Sequence, residues 1–223
     1  MKNLFNEIFT NNGNIMEKDF FDKSYYESGP QSEKSLYQNY RWMPELTIPL
    51  AHHIIQSMGI MHDQTVMDFG CAKGYLVNAM RLLGIEAYGV DVSEYAISQA
   101  LKETNGYVKS IEPFSDDFQY CDHLIAKDIL EHIEYEHIDK QMEILRSKCE
   151  TIFAVIPLGD GKKYLIPAYE LDKSHHIRES KEWWHDKFKK AGFFNINVTT
   201  ELGPFKANWA EVNSKGNLLV IGS

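Results

Sequence analysis

The chain has 223 residues, a length that suits one domain with at most an accessory arm. With 43% hydrophobic and 25% charged residues it sits near the globular average, which excludes disordered and fibrous classes. Its 23 Lys and Arg against 32 Asp and Glu give a formal net charge of −9, a sign that repels phosphate backbones and anionic membranes, so neither nucleic acid nor a membrane is expected as a partner.

Residues 1–44 are polar and aromatic without a clean period and are expected to form an N-terminal arm or lid, with 45–223 as the main domain. From Pro44 to Gly59 apolar residues recur three to four apart, which predicts a helix with Pro44 in its first turn and Gly59 at its end. Residues 65–69 form a short apolar run closing on Gly70, and Leu76, Met80, Leu82 and Leu83 follow at helical spacing. Residues 87–92 repeat the strand reading, with Ser93 as N-cap of the next helix. A weak strand is expected near 107–108 and a clearer one at 123–126. Ile138, Met142 and Leu145 mark a helix, and 151–158 an apolar strand. An irregular stretch from 159 to 176 is longer than a routine connection. Ser180 to Ala191 reads as a charged helix stopped by Gly192, 194–199 as a half-buried strand, and 218–221 as a strand buried on both faces, so the last two suggest a hairpin.

Alternating strands and helices predict an α/β, doubly wound, Rossmann-like sheet, whose ligands collect outside the carboxyl ends of the strands. The chemistry is therefore expected at three strand tips: 68–74, 91–93 and 128–132. At the first, Asp68-Phe69-Gly70-Cys71-Ala72-Lys73-Gly74 lets backbone approach a ligand, with free N–H groups of the helix start facing it. A dinucleotide fingerprint fails there, because Ala72 and Tyr75 stand where glycines belong, and no P-loop is present. Asp68 suits a ligand ammonium better than a phosphate. Asp91, 23 residues on, can accept from two ribose hydroxyls, and Val92 offers an apolar surface to an adenine face.

These segments, followed by Ala126-Lys127-Asp128-Ile129-Leu130-Glu131-His132-Ile133, resemble the successive motifs of class I S-adenosylmethionine-dependent methyltransferases. The resemblance runs from about residue 65 to the end of the chain and implies a seven-stranded sheet, mostly parallel, with a C-terminal antiparallel hairpin strand. It further implies that Asp68 and the backbone of Gly70, Cys71, Ala72 and Gly74 hold the methionine end of S-adenosylmethionine and that Asp91 and Val92 hold the nucleoside. Lys127 and Asp128 would lie near the sulfonium and amino group, and the adenine contact would fall somewhere in 109–117. S-adenosylhomocysteine would be the product.

His132, beside the expected methyl donor, and His175, in an Asp172-Lys173-Ser174-His175 element similar to one found in many small-molecule methyltransferases, are the candidate catalytic groups, weighed against purely structural roles. His175 and His176 have no third ligand at a sensible spacing, so no metal site is expected. Cys71 reads as a packing residue rather than a nucleophile. In the arm, Tyr40 and Arg41 are candidate substrate-binding residues, Arg41 as a bidentate clamp. The expected acceptor is a small molecule, sugar-linked or otherwise biosynthetic. A nicotinamide-dependent oxidoreductase or epimerase, and a non-catalytic S-adenosylmethionine-binding protein, are the alternatives. Single cysteines at 71, 121 and 149, an N-terminus without an apolar export core, and no apolar run near 20 residues point to a soluble, cytoplasmic protein.

Overall fold

A computed structural model describes residues 18–206 and 215–223; residues 1–17 of the expected arm lie outside them. Seven strands, β1 (Thr65–Phe69), β2 (Glu86–Asp91), β3 (Val108–Ser110), β4 (Cys121–Lys127), β5 (Cys149–Pro157), β6 (Asn197–Thr199) and β7 (Asn217–Gly222), form one sheet. Their order is β3-β2-β1-β4-β5-β7-β6. The first five are parallel, and β7 enters antiparallel between β5 and β6. The sheet is therefore the expected doubly wound one, and the reversal of strand order lies between β1 and β4, where such sheets leave a crevice.

Residues on β5 alternate between two covered faces. Ile152, Ala154 and Ile156 pack with Trp184, Phe188, Met142 and Leu145, which belong to α6 (Ile138–Ser147) and α7 (Lys181–Ala191). Phe153 and Val155 face the other way, against Ile54, Val77 and Met80. These lie on α3 (Pro44–Met58) and α4 (Tyr75–Leu82). Both faces of the strand are buried, so its sequence is continuously apolar, and each fully buried Ile or Leu contributes roughly 1.5–3 kcal/mol.

Helix ends follow their caps. Ser93 Oγ accepts from the Ala96 N–H at the start of α5 (Glu94–Ser98), and Gly59 and Gly192 end α3 and α7 in the left-handed region. The strand expected over 194–199 shortens to Asn197–Thr199, because the Phe194 N–H bonds the Ser223 carbonyl outside the ladder and the Phe194 ring is 79% exposed. Among the described residues no helix is long and apolar enough to cross a membrane.

Two short helices, α1 (Lys23–Glu27) and α2 (Gly29–Ser32), precede α3, and Phe21 with Tyr25 and Tyr26 of α1 packs with Ala72 and Val92, just past the carboxyl ends of β1 and β2. Tyr26 stacks with Tyr95 of α5, and Ser93 donates its hydroxyl proton to the Phe21 carbonyl at 2.5 Å.

Candidate active site

The turn after β1 is built to pass close to its neighbours. Gly70 has φ +82°, and a Cβ there would stand 2.6 Å from Ile129 Cγ1; at Gly74, φ +71°, it would stand 2.9 Å from Val108 Cγ1. Ala72 takes φ 49°, a conformation that costs a residue with a Cβ about 1–2 kcal/mol. Four of the turn's N–H groups bond within the protein. Those of Gly70 and Cys71 bond the Val90 carbonyl, that of Ala72 bonds Asp91 Oδ2 at 2.7 Å, and that of Gly74 bonds the Cys71 carbonyl. The N–H groups expected to face a ligand at the helix start belong to α4, whose N-cap Gly74 makes no side-chain cap hydrogen bond.

Asp68 lies at the end of β1, 6% exposed. Burial, then repulsion from Asp91, pushes its carboxyl up to about 7, against the pull of Lys127. Asp91 is held by the Ala72 N–H on one oxygen and by the Ser93 N–H, at 2.8 Å, on the other, which fixes its plane and leaves further lone pairs on both. Burial raises its carboxyl, and those N–H bonds oppose the rise. Cys71 packs against Gly89, where a Cβ would meet its Sγ at 2.7 Å. Burial and the two acids push its thiol far up, so it is inert.

At the mouth of β4, Asp128 takes φ 55° and receives two ammonium groups, Lys127 on Oδ2 at 2.5 Å and Lys206 on Oδ1 at 2.7 Å. Burial alone would raise its carboxyl; the two lysines outweigh burial and hold it below the usual range. Lys206, 7% exposed, also donates to the Tyr169 hydroxyl at 2.8 Å. The sequence gives no local sign that a residue 78 positions downstream of Asp128 closes this corner.

Three adjoining cavities open at these strand tips. The first is largely apolar, lined by Val92, Ile111, Pro113, Phe114, Ile129 and Ile133 among others. The second, walled by Gly70, Ala72, Asp91 and Asp128, is covered by Phe21, Tyr25, Tyr26 and Tyr37 of the arm. The third is polar, lined by Tyr37, Asp128, Glu131, His132, Asp172, His175 and Lys206 among others. His132 lines all three. Asp68 lines none of the three, and it interacts electrostatically with Asp91 and Lys127, Asp91 lining the second.

His132 and His175 come together, with ring centroids 4.6 Å apart. His132 Nδ1 bonds Ser174 Oγ at 2.8 Å, Ser174 donates to Asp172 Oδ1 at 2.5 Å, and the Tyr25 hydroxyl donates to Asp172 Oδ2 at 2.9 Å. His175 Nδ1 bonds the Tyr169 carbonyl at 2.9 Å. Burial keeps both imidazoles neutral, pushing His175 down to about 3 and His132 down as well. His176 lies elsewhere, beside Glu134 and Arg178. Glu131, fully buried, sits between them, its carboxyl raised far above the ordinary range by burial and then by Asp128.

The arm residues named from sequence fare differently from their neighbours. Tyr40 packs on Tyr75 and Tyr37, its carbonyl accepts from Lys73 at 2.7 Å, and it lines none of the three cavities. Arg41 is exposed and likewise absent from all three. The chain leaves the cavities after Tyr37, so it is Tyr37 that reaches the polar wall, not Arg41. Lys73, inside the glycine turn, points to the arm rather than to a ligand: its ammonium meets Glu27 at 2.5 Å.

Strand order, with acids at the tips of β1 and β2, gives the α/β architecture seen in class I methyltransferases. Residues 67–148 match the methyltransferase domain family, which, with the fold, supports an S-adenosylmethionine-dependent methyltransferase as the class of enzyme. A crystal structure of a SAM-dependent methyltransferase from Archaeoglobus fulgidus shares the fold with a TM-score of 0.59 at 17% identity, over 81% of this chain and 94% of that one. Phosphoethanolamine N-methyltransferase 2 of Haemonchus contortus, in complex with S-adenosyl-L-methionine, gives 0.63 at 14% identity, over 92% of this chain and 59% of that one. Human N-acetylserotonin methyltransferase, in complex with SAM, gives 0.52 at 14%, over 81% and 56%. At these identities the likeness speaks for the fold. No curated protein matches the chain.

Proposed function

We propose that the chain methylates a small-molecule acceptor, sugar-linked or otherwise biosynthetic, held in the polar cavity between the arm and the mouth of β4. The observation that carries this reading is the cover itself. Phe21, Tyr25, Tyr26 and Tyr37 close over the strand tips and leave a confined space beside Asp128 and His132, which suits a metabolite better than a polymer strand. The net charge of −9 also opposes a nucleic acid.

The donor set fits the cofactor. In this reading Asp68 and the carbonyl side of the turn take the amino-acid ammonium, Asp91 accepts from the ribose hydroxyls, and the adenine lies between Val92 and 111–114. Lys127 and Asp128 stand near the sulfonium. When bound, S-adenosylmethionine supplies an activated methyl, taken by an acceptor lone pair as the carbon–sulfur bond breaks and S-adenosylhomocysteine departs. His132 and His175 face the acceptor's reacting group and orient its lone pair. The arm excludes water. Holding two reactants in line supplies about 7–11 kcal/mol of the barrier, whereas a proton-accepting side chain adds a factor of roughly 10²–10⁴, so most of the rate comes from the walls.

Calorimetry with S-adenosylhomocysteine and with NAD tests the cofactor assignment: tight binding of the sulfur nucleoside alone is expected, and tight NAD binding alone would reverse it. Turnover against hydroxyl- and amine-bearing metabolites, compared with oligonucleotides and peptides, then tests the acceptor class.

A further inference from the structure

We propose that Glu131, His132 and His175 form a site for one divalent transition-metal ion on the wall of the acceptor cavity. The sequence offers no such spacing; the site exists because the long segment after β5 returns to the mouth of β4. There the Glu131 carbonyl accepts from the N–H groups of His176 and Ile177, at 2.8 and 3.1 Å, which locks the two stretches together.

The first observation is the carboxylate. Glu131 has no exposed surface, and neither of its side-chain oxygens has a hydrogen-bond partner. A buried carboxylate in that state is strongly unfavourable without a cation or a proton to complete it. The nearest complement is imidazole nitrogen: His175 Nε2 stands 3.9 Å from Glu131 Oε1. One ligand atom from each of Glu131, His132 and His175 lies within 4.8 Å of the others. Bonds of about 2.0–2.2 Å to a tetrahedral ion set its ligands ~3.4 Å apart, so a small side-chain rotation closes the set.

The second observation is the orientation of the rings. A carbonyl oxygen can only accept, so His175 Nδ1 must carry the proton in its bond to Tyr169, and Nε2 keeps its lone pair. Ser174 gives its own proton to Asp172, so it accepts from His132 Nδ1, and His132 Nε2 is also a lone-pair donor. Both imidazoles are thus fixed, by a carbonyl and by a hydroxyl–carboxylate pair, in the tautomer that ligates through Nε2. Metal-bound histidines are held by outer partners of this kind.

Two imidazoles and a carboxylate favour zinc, manganese, cobalt or nickel over magnesium or calcium. Three protein ligands leave a position open toward the cavity that also holds Asp128 and Lys206. The site itself does not depend on the small-molecule reading. Its role does: there the ion would hold the acceptor's oxygen or nitrogen, with the histidines acting through it. A second group, Glu134, Glu136 and His137, also comes together but lies partly exposed, with His137 Nε2 already 3.2 Å from Glu136 and 3.6 Å from Glu134, and it serves as the control.

The test is titration of chelator-stripped protein with cobalt(II), read by its visible d–d absorption and by calorimetry, with zinc(II) as competitor. One equivalent binding at micromolar concentration or tighter is expected, displaced by zinc, weakened at least a hundredfold in Glu131→Gln and His175→Ala, and unchanged in His137→Gln. Asp172→Asn should weaken it about tenfold. Glu131→Gln preserves shape and removes a buried charge, and its S-adenosylhomocysteine affinity, measured alongside, reports an intact fold and a sound cofactor site separately from metal. No binding below millimolar cobalt, or an unaltered spectrum and affinity in Glu131→Gln, overturns the proposal.

Discussion

The Lys73 ammonium bridges the Glu27 carboxylate and the Tyr40 carbonyl, at 2.5 and 2.7 Å, and so ties the arm to the turn after β1. Its side chain is 6% exposed and that of Glu27 25%. The same lysine lies 5.8 Å from the ring centroids of both Tyr40 and Tyr95.

Glu27→Gln should therefore free the arm. A hydrogen bond to a charged group contributes about 1.5–3 kcal/mol, so S-adenosylhomocysteine affinity is expected to fall about tenfold or more, with proteolysis before residue 45 becoming faster. Calorimetry and limited trypsin digestion check this; unchanged affinity and digestion would detach the latch from the site.

Cofactor affinity should follow the ionisation of Asp68. Its carboxyl titrates at about 7 without ligand, and a ligand ammonium needs the ionised form, so affinity rises between pH 6 and 8 and proton release accompanies binding at the lower end. The sign for stability is opposite. A folded value raised above the unfolded one, 3.8, gives stability that is present below the unfolded value and lost as pH climbs through about 7. Asp68→Asn should bind S-adenosylhomocysteine weakly at every pH, yet leave the ligand-free protein more stable than wild type above pH 7, by up to a few kcal/mol. Binding and thermal melts at pH 6 and 8 separate the two effects.

The turn gives paired, opposite predictions. Gly70→Ala sets a Cβ 2.6 Å from the Ile129 side chain at φ +82° and should cost about 1–3 kcal/mol as well as cofactor affinity. Ala72→Gly relieves a left-handed alanine and should stabilise by about 1 kcal/mol or leave stability unchanged. Thermal denaturation reads both; destabilisation by Ala72→Gly would mean that its methyl packs against the arm.

His132→Ala should lower kcat by about 10²–10⁴ with little change in S-adenosylhomocysteine affinity. A variant with near-full turnover would remove His132 from the chemistry.

The three strand tips were legible because each is a local event: an acid ends a strand, a small residue or cap turns the chain, and a helix follows, as at Asp68 with Gly70 and at Asp91 with Ser93. Topology was legible for the same reason, since both-face burial of 151–158 and 218–221 leaves an unbroken apolar run. The arm was not. Phe21 and Tyr37 differ from Arg41 only by which side of the chain faces the cleft, and an aperiodic segment carries no signal for that. Glu131, His175 and Lys206 meet from three distant stretches, and nothing in the composition near any of them encodes the meeting. The proposed adenine slot falls between these cases: the sequence brackets it in 109–117, and Ile111 to Phe114 line one cavity together with Val92.

The placement of β7 between β5 and β6 has a consequence for biogenesis. On the ribosome, β5 emerges long before the segment 217–222 that must pair with it, and β6 has no partner until that segment arrives. From the completion of β5 at residue 157 until residues 217–222 follow, a nascent chain therefore carries an open, apolar β5 edge, a form in which chaperone capture or self-association competes with folding. Completion of the sheet is then a late, nearly single event, timed by the exit of one short stretch from the tunnel.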